Sequence, residues 1–310
     1  MQDIIIPEEL IKEIAESEAN FCRKVKNCDP REAVNRLILG YRNPYRSLEN
    51  LTGREKLLCA KILEVGSGNG FFLCYAIKNN INIVGIEPGK TYGFHDRFFR
   101  AVKLLKLNGI SRPDRFLFDA SAESLPFENN MFDIVFSVAV LEHVQNLEAV
   151  MEESIRVLKP GGILWANVPN YNSIYEGHYD IFWLPYMRKR LAKVYVKKIF
   201  KRDSYLIDEL NLTTPSMFKH YLNSSNTYGK MYLHGIGLSR YVFEIYNFCI
   251  KNNFNKSQNN FRFKKIIGSF LKNRCFCALI RVPDYILVKI LQFLGLAITF
   301  DIVLYKRGTK

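Results

Sequence analysis

The chain has 310 residues, of which 48% are hydrophobic and 24% charged. This is ordinary usage for a folded soluble protein, and it argues against disorder and against a polytopic membrane protein. The net charge of +14 is uneven: residues 1–170 contain 21 basic and 22 acidic side chains, whereas residues 171–310 contain 23 and 8. The basic second half indicates an anionic partner, which is a membrane surface, a phosphate-bearing substrate or a nucleic acid. The alternative is a solvated basic surface.

The seven cysteines are odd in number and include no C-x-x-C pair, so we interpret them as reduced thiols of a cytoplasmic protein. The N-terminal sequence lacks the basic and apolar regions of a signal peptide. The apolar stretch 285–305 is interrupted by Lys289, Gln292 and Asp301, so it does not predict a helix that crosses a bilayer.

The first sixty residues predict a helical N-terminal extension. Pro7 precedes the acidic pair Glu8 and Glu9, and Asp29 is a helix N-cap followed by Pro30 at the first helical position. Residues 61–170 then alternate short apolar runs with helical stretches, as in a parallel sheet with crossover helices. The predicted strands are 61–65, 82–87, 115–118, 132–138 and 162–168, and the predicted helices are 70–78, 96–107 and 147–158.

After residue 170 this alternation stops. Residues 171–236 are aromatic, basic and interrupted by proline, so we expect an insertion on the acceptor side, without another strand, that covers the active site. Residues 237–310 are expected to complete the core. The predicted elements there are a helix at 239–251, a short strand at 261–263, two basic apolar helices within 264–296 and a final strand at 299–306.

The clearest motif is an apolar strand that ends in the turn Gly66-x-Gly68-x-Gly70 and runs directly into a helix. Glycines permit the tight bend and a close backbone approach, while the helix N-terminus offers free N–H groups to a carboxylate or phosphate. The turn alone is compatible with a dinucleotide site, a methionine–adenosine site or a strand–helix junction without a ligand. Glu87 ends the next strand, 19 positions after Gly68, where it can bind ribose hydroxyls of an adenosine cofactor or of NAD.

Four downstream segments distinguish these readings. Their sequences are Ala-Glu-Ser-Leu-Pro-Phe (122–127), Met-Phe-Asp-Ile-Val-Phe (131–136), Leu-Glu-His-Val (141–144) and Arg-Val-Leu-Lys-Pro-Gly-Gly (156–162). In this order the motifs resemble the class I S-adenosylmethionine-dependent methyltransferases, in the branch with a Leu-Pro-Phe segment (type 11-like). The resemblance covers residues 61–170. It implies an α/β fold with a doubly wound, mostly parallel seven-stranded Rossmann-like sheet, N-terminal helices and a helical insertion before the last strands.

The resemblance also implies S-adenosylmethionine as the cofactor and a set of residues around it. Glu64 and the three glycines would line the methionine portion, Glu87 the ribose, and Val138 the sulfonium. The adenine contact is open between Asp119 and the backbone of Ser121 and Ala122, because Ser121 stands where the family commonly has Asp. The expected cofactor-binding residues are therefore Glu64, Gly66, Gly68, Gly70, Glu87, Asp119, Ser121, Ala122 and Val138.

Methyl transfer is a displacement at an activated carbon, so it requires positioning and exclusion of water, and it demands no metal. We expect none. A hydroxyl acceptor would benefit from a general base. His178 with Asp180 as its orienting partner is one candidate, and His143 near the sulfonium is another. Packing in an aromatic loop and helix capping are the alternatives for these residues.

Residues 182–200 place apolar and basic side chains at helical spacing, which favours an interfacial helix on anionic lipid; packing against the protein's own sheet is the alternative. Trp183-Leu-Pro and residues 209–215 more weakly resemble surface-polysaccharide and glycolipid methyltransferases. This resemblance implies O-methylation of a lipid-linked sugar by a peripheral enzyme on the inner membrane face. An RNA methyltransferase, a methyltransferase of quinones or other small lipids, and a binding protein without catalysis are the alternatives. A dehydrogenase fits least, because the glycine spacing differs.

Overall fold

The computed structural model describes residues 1–89, 96–234 and 298–308. Within these ranges the N-terminal extension is helical, as predicted. The elements are α1 (Glu8–Phe21), a π-helical turn (Cys22–Lys26), α2 (Pro30–Gly40), α3 (Asn43–Thr52) and α4 (Arg54–Cys59). The side chain of Asp29 accepts a hydrogen bond from the Glu32 N–H at 2.9 Å, and Pro30 occupies the first helical position. Such a cap stabilises a helix by about 1 kcal/mol.

Residues 61–170 form alternating strands and helices. The elements are β1 (Ile62–Val65), α5 (Phe71–Lys78), β2 (Ile83–Ile86), α6 (Arg97–Leu107), β3 (Leu117–Phe118), β4 (Phe132–Val138), α7 (Leu147–Val157) and β5 (Leu158–Pro169). All five predicted strands and three predicted helices are present. A short 3-10 turn (Pro113–Arg115) takes up the beginning of the third predicted strand.

The insertion contains more strand than the sequence predicted. Its elements are the hairpin β6 (Tyr175–Glu176) and β7 (Ile181–Phe182), α8 (Lys189–Ile199), α9 (Tyr205–Glu209), a 3-10 helix (Pro215–Leu222) and β8 (Thr227–His234). The expectation of no strand in 171–236 is therefore wrong. Among the strands of the described ranges β8 pairs with β9 (Thr299–Lys306) alone, and every second side chain of β8 is exposed. The elements predicted at 239–251, 261–263 and 264–296 lie outside the described residues.

Seven of the strands in the described ranges form one sheet in the order β3-β2-β1-β4-β5-β9-β8. β9 is antiparallel to both of its neighbours, and the pairs from β3 to β5 are parallel. This confirms the predicted doubly wound, mostly parallel seven-stranded sheet. The winding reverses between β1 and β4, and open sheets of this kind bind ligands at the carboxyl ends of the strands beside that point.

Helices cover both faces of the sheet and leave this carboxyl edge accessible. The N-terminal helices, α5 and α6 pack on one face around Leu10, Phe72 and Leu104. α7 and the 3-10 helix pack on the other face. The insertion has a cluster of its own around Trp183 and Val196. No helix in the described ranges meets the length and hydropathy needed to cross a bilayer.

Candidate functional site

The glycine turn after β1 adopts backbone conformations that side chains disfavour. Gly66, Gly68 and Gly70 have φ values of 81°, 56° and 76°. A Cβ on Gly66 would lie 2.4 Å from Val140, and one on Gly70 would lie 2.8 Å from Ala101. A Cβ on Gly68 would meet nothing within 4 Å. Gly66 and Gly70 therefore permit tight packing, whereas Gly68 borders open space beside the N-terminus of α5, where a ligand can approach.

Glu87 follows β2 and is joined directly to this turn. The Gly68 N–H donates a 2.8 Å hydrogen bond to Glu87 Oε2. Burial raises the pKa of Glu87, while Arg97 and the Gly68 N–H act in the opposite direction. A carboxylate has a second oxygen, which leaves an acceptor for ribose hydroxyls.

Glu64 is the buried acid of β1. Its side chain is 6% exposed, and its Oε2 has no hydrogen-bond partner among the described residues. Burial raises the pKa of Glu64 to about 8. An unpaired buried carboxyl is costly unless a partner arrives. The position therefore fits a cationic group such as the α-ammonium of S-adenosylmethionine.

The residues predicted beside adenine have local partners. The Gly89 N–H donates a 2.7 Å hydrogen bond to Asp119 Oδ1, which ties the loop after β2 to the end of β3. The Ser121 hydroxyl donates to Glu123, and Ala122 is buried. The structure places all three residues at the carboxyl edge, and which of them contacts adenine stays a prediction.

A cavity of about 580 Å³ lies beside the glycine turn, under α2 and α3. Glu64, Gly68 and Val138 line one end of it. The other end is lined by residues of the strands β5, β8 and β9, namely Trp165, Asn167, His234, Thr299 and Asp301. The volume is in the range of small-molecule and cofactor sites.

Asn167, Asp301 and His234 form a polar network at the end of this cavity that lies beside β5, β8 and β9. Val138, Asn167 and Asp301 are successive register partners across β4, β5 and β9, so their side chains share one sheet face. Asn167 Nδ2 donates to Asp301 Oδ1 at 2.6 Å, and His234 Nε2 lies 3.0 Å from Asp301 Oδ2. The hydrogen bond with Asp301 raises the pKa of His234. Sequence reasoning missed this network, because its members come from three strands and form no local motif.

The predicted pairing of His178 with Asp180 is wrong. His178 Nδ1 lies 2.7 Å from Glu176 Oε1, whereas Asp180 accepts a 2.6 Å hydrogen bond from the Tyr175 hydroxyl. Glu176 ends β6 and is 3% exposed, so the hairpin turn brings it against the ring of His178. Burial alone would lower the pKa of His178, but Glu176 raises it overall.

The structure brings the two predicted histidines together. Their Nε2 atoms are 3.3 Å apart, and the rings meet edge to face at 5.1 Å. Glu142 is 1% exposed, and its Oε1 lies 3.9 Å from His143 Nε2. Burial lowers the pKa of His143 to about 3 and raises that of Glu142 to about 7. Neither histidine lines the cavity described above, and a role of either one in the reaction stays a prediction.

Comparison with known proteins agrees with this geometry. A family model described as "Methyltransferase domain", type 11, matches residues 63–166. The tRNA U34 carboxymethyltransferase of Ruthia magnifica subsp. Calyptogena magnifica is 35% identical over 104 residues, 33% of this chain and 30% of that protein. The ubiquinone/menaquinone biosynthesis C-methyltransferase UbiE of Neisseria meningitidis is 41% identical over 80 residues, 24% of this chain and 32% of that protein. The chain thus spans about a third of the length of these relatives.

Among solved structures, a putative sarcosine dimethylglycine methyltransferase from Galdieria sulphuraria aligns with 97% of this chain and 99% of its own, at 15% identity and a TM-score of 0.49. The matched domain, the strand order and the glycine turn define the class. Residues 63–166 are a class I S-adenosylmethionine-dependent methyltransferase domain of the type 11 branch, as the sequence motifs predicted.

Proposed function

We propose that the chain binds S-adenosylmethionine and O-methylates a hydroxyl of a sugar or lipid-linked saccharide at an anionic membrane surface. The observation that carries methyl transfer is a cavity lined both by the buried carboxyl of Glu64 and by the polar network of Asn167 and Asp301. The bound cofactor would supply a methyl group on a sulfonium, already activated for displacement. The protein has to position the acceptor and exclude water.

The near end of the cavity has the groups that such a cofactor requires. Glu64 would pair with its ammonium group, and Glu87 would accept hydrogen bonds from the ribose. Gly68 borders open space, so the backbone can approach the ligand closely. Residues of α2 and α3 also line the cavity.

The far end favours a neutral hydroxyl acceptor. Asp301 accepts a hydrogen bond from the amide nitrogen of Asn167, and no side chain or backbone group of the described residues donates to the amide oxygen, which would accept one from a hydroxyl. Trp165, 5% exposed, adds an aromatic surface. The two arginines of the lining are in ion pairs, Arg36 with Glu32 and Arg97 with Glu18. The described lining therefore offers no unpaired cation for a phosphate, and we propose His234 as the group that takes up the hydroxyl proton.

The surface of α8 supports membrane association. Its inner face buries Ala192 and Val196 in the insertion's core, so part of the packing alternative also holds. Its outer face exposes Leu191 at 62% and Val194 at 57%. The helix has five basic residues and no acidic one, and Lys197 and Lys198 lie in its last turn. Exposed apolar side chains flanked by lysines match an anionic lipid interface, whereas RNA phosphates would need the charges alone.

The first test is calorimetric titration with S-adenosylmethionine, S-adenosylhomocysteine and NAD. We expect micromolar binding of the two sulfur ligands and none of NAD. No binding of either sulfur ligand to folded protein would remove the proposal. Transfer of radiolabelled methyl to lipid-linked saccharides, quinols and RNA then identifies the acceptor, and methylation of RNA or quinol alone would contradict the acceptor class.

The second test is cosedimentation with vesicles that contain anionic or only zwitterionic phospholipid. We expect binding to the anionic vesicles, weakened several-fold by the double substitution Leu191→Gln and Val194→Gln. Leu39→Gln is the matched control, because Leu39 is 85% exposed on a different helix. Salt-sensitive binding of RNA with no affinity for anionic vesicles would contradict the membrane proposal and would indicate a nucleic acid as the anionic partner.

A further inference from the structure

The Glu142, His143 and His178 side chains form a donor cluster outside the lining of the cavity described above. One ligand atom from each of the three lies within 4.8 Å of the other two. Glu142 and His143 belong to the loop after β4, and His178 belongs to the turn between β6 and β7. The cluster therefore joins the insertion to the core.

The separation of the two imidazoles suits a shared cation. A tetrahedral ion with metal–nitrogen bonds of about 2.05 Å holds its ligand atoms about 3.4 Å apart. The Nε2 atoms of His143 and His178 are 3.3 Å apart. Glu142 adds a carboxylate, whose Oε2 is buried and has no hydrogen-bond partner among the described residues.

Glu176 fixes the orientation of His178. Its Oε1 lies 2.7 Å from His178 Nδ1, so in the neutral tautomer that donates from Nδ1 the lone pair of Nε2 faces His143. Glu176 is itself held by the Tyr179 N–H at 2.6 Å and by the Tyr171 hydroxyl at 3.3 Å. A carboxylate that holds the remote nitrogen of a histidine is the usual outer partner of a metal-binding imidazole.

The charge of the cluster also calls for a cation. Glu142 and Glu176 are 1% and 3% exposed, and neither forms an ion pair with Lys or Arg in the described part of the chain. A divalent ion beside His143 and His178 would supply a cationic partner for the buried carboxylate of Glu142.

We propose that Glu142, His143 and His178 bind one divalent transition-metal ion, best matched by Zn²⁺, with Glu176 orienting His178. Two imidazoles and one carboxylate leave a coordination position open, and they favour Zn²⁺ over Mg²⁺. The ion would fasten the β6–β7 turn to the loop whose Val140 packs on the glycine turn. We expected no metal because the reaction demands none; this site has a structural basis of its own and does not rest on the proposed function.

The test is metal loading of chelator-treated full chain, with Zn²⁺ measured by elemental analysis and Co²⁺ followed by its visible absorption. We expect one equivalent of Zn²⁺ per chain, a tetrahedral Co²⁺ spectrum and a higher Tm with Zn²⁺ than with Mg²⁺. His143→Ala and His178→Ala should weaken binding on the order of 100-fold, and Glu176→Gln 10- to 100-fold. Less than a tenth of an equivalent in wild-type protein would overturn the site, whatever the variants do.

Two control variants separate this site from adventitious metal binding. His220→Ala removes an exposed histidine, and Cys28→Ser removes a thiol that lies 3.2 Å from Cys22, the other close pair of soft donors among the described residues. Both variants should keep the full equivalent. Loss of Zn²⁺ in Cys28→Ser, with retention in His178→Ala, would overturn the proposal in favour of the thiols. Titration of the same preparations with S-adenosylhomocysteine reports separately on the proposed function.

Discussion

The Gly68 N–H donates a 2.8 Å hydrogen bond to Glu87 Oε2, which fastens the acid after β2 to the turn after β1. Glu87 therefore has both a structural and a ligand-binding role. We predict that Glu87→Gln retains an oxygen for Gly68 but weakens S-adenosylhomocysteine binding about 10-fold, the equivalent of one hydrogen bond to a charged group. Glu87→Ala should weaken binding further and also lower the free energy of unfolding by about 1–3 kcal/mol. Calorimetry and urea unfolding measure the two effects, and equal unfolding free energies for both variants would contradict the structural role.

Gly68 and Gly70 form a matched pair for the glycine turn. Both have positive φ, so an alanine at either position costs about 1–2 kcal/mol in backbone strain. A Cβ on Gly70 would also contact Ala101 at 2.8 Å, whereas one on Gly68 would face open space. We predict that Gly70→Ala lowers the Tm more, and that Gly68→Ala reduces cofactor affinity at least 10-fold with the smaller loss of Tm. Unchanged affinity in Gly68→Ala would place the ligand elsewhere.

The sequence predicted the part of the fold that is buried. β4 (Phe132–Val138) and β9 (Thr299–Lys306) have their predicted bounds, because the apolar residues at their centres, 134–136 and 302–304, are typical of a strand covered on both faces. β8 (Thr227–His234) was not predicted, since Gly229 and Lys230 interrupt its apolar residues and every second side chain is exposed. The local sequence indicates which residues are buried, but it does not indicate pairing with a distant strand. β8 is stabilised by its pairing with β9, which lies 65 or more residues away in the sequence.

The candidate site likewise has a part that the local sequence predicted and a part that only the fold brings together. The glycine turn and Glu87 were predictable because they occupy fixed places in one strand–turn–helix unit. The Asn167–Asp301 hydrogen bond joins residues 134 positions apart, and no local spacing encodes it. The partner of His178 was misjudged because Asp180 and Glu176 are equally close in sequence, and only the hairpin turn decides between them.

Glu64 gives a prediction about protons. Burial raises its pKa to about 8, so much of this carboxyl is protonated at pH 7. A cationic ammonium placed beside it would lower that pKa and release the proton. We predict that the binding enthalpy of S-adenosylhomocysteine at pH 7 depends on the ionisation enthalpy of the buffer. The slope of this dependence should correspond to the release of about one proton or slightly less per ligand bound. Glu64→Gln should abolish most of this dependence, and its persistence in that variant would show that another group releases the proton.

The ion pair of His234 with Asp301 predicts how stability depends on pH. The hydrogen bond with Asp301 raises the pKa of His234 above its unfolded value. The contribution of His234 to the free energy of unfolding is therefore complete below about pH 6.5, and it is lost as the pH rises through the raised pKa. Burial alone would raise the pKa of Asp301, but the hydrogen bonds of His234 and Asn167 outweigh it and lower that pKa. The aspartate contribution is therefore present above about pH 4 and is lost as the pH falls through the lowered value.

Together the two groups stabilise the fold most between about pH 4 and 6.5. We predict that His234→Gln flattens the decline in unfolding free energy between about pH 6 and 8. The change should be below about 1 kcal/mol, because the His234 side chain is 49% exposed and solvent screens the pair. Urea unfolding at a series of pH values measures it, with His220→Gln as the control for an exposed histidine. A decline of the same slope in His234→Gln and in wild-type protein would show that the pair with Asp301 does not form in solution.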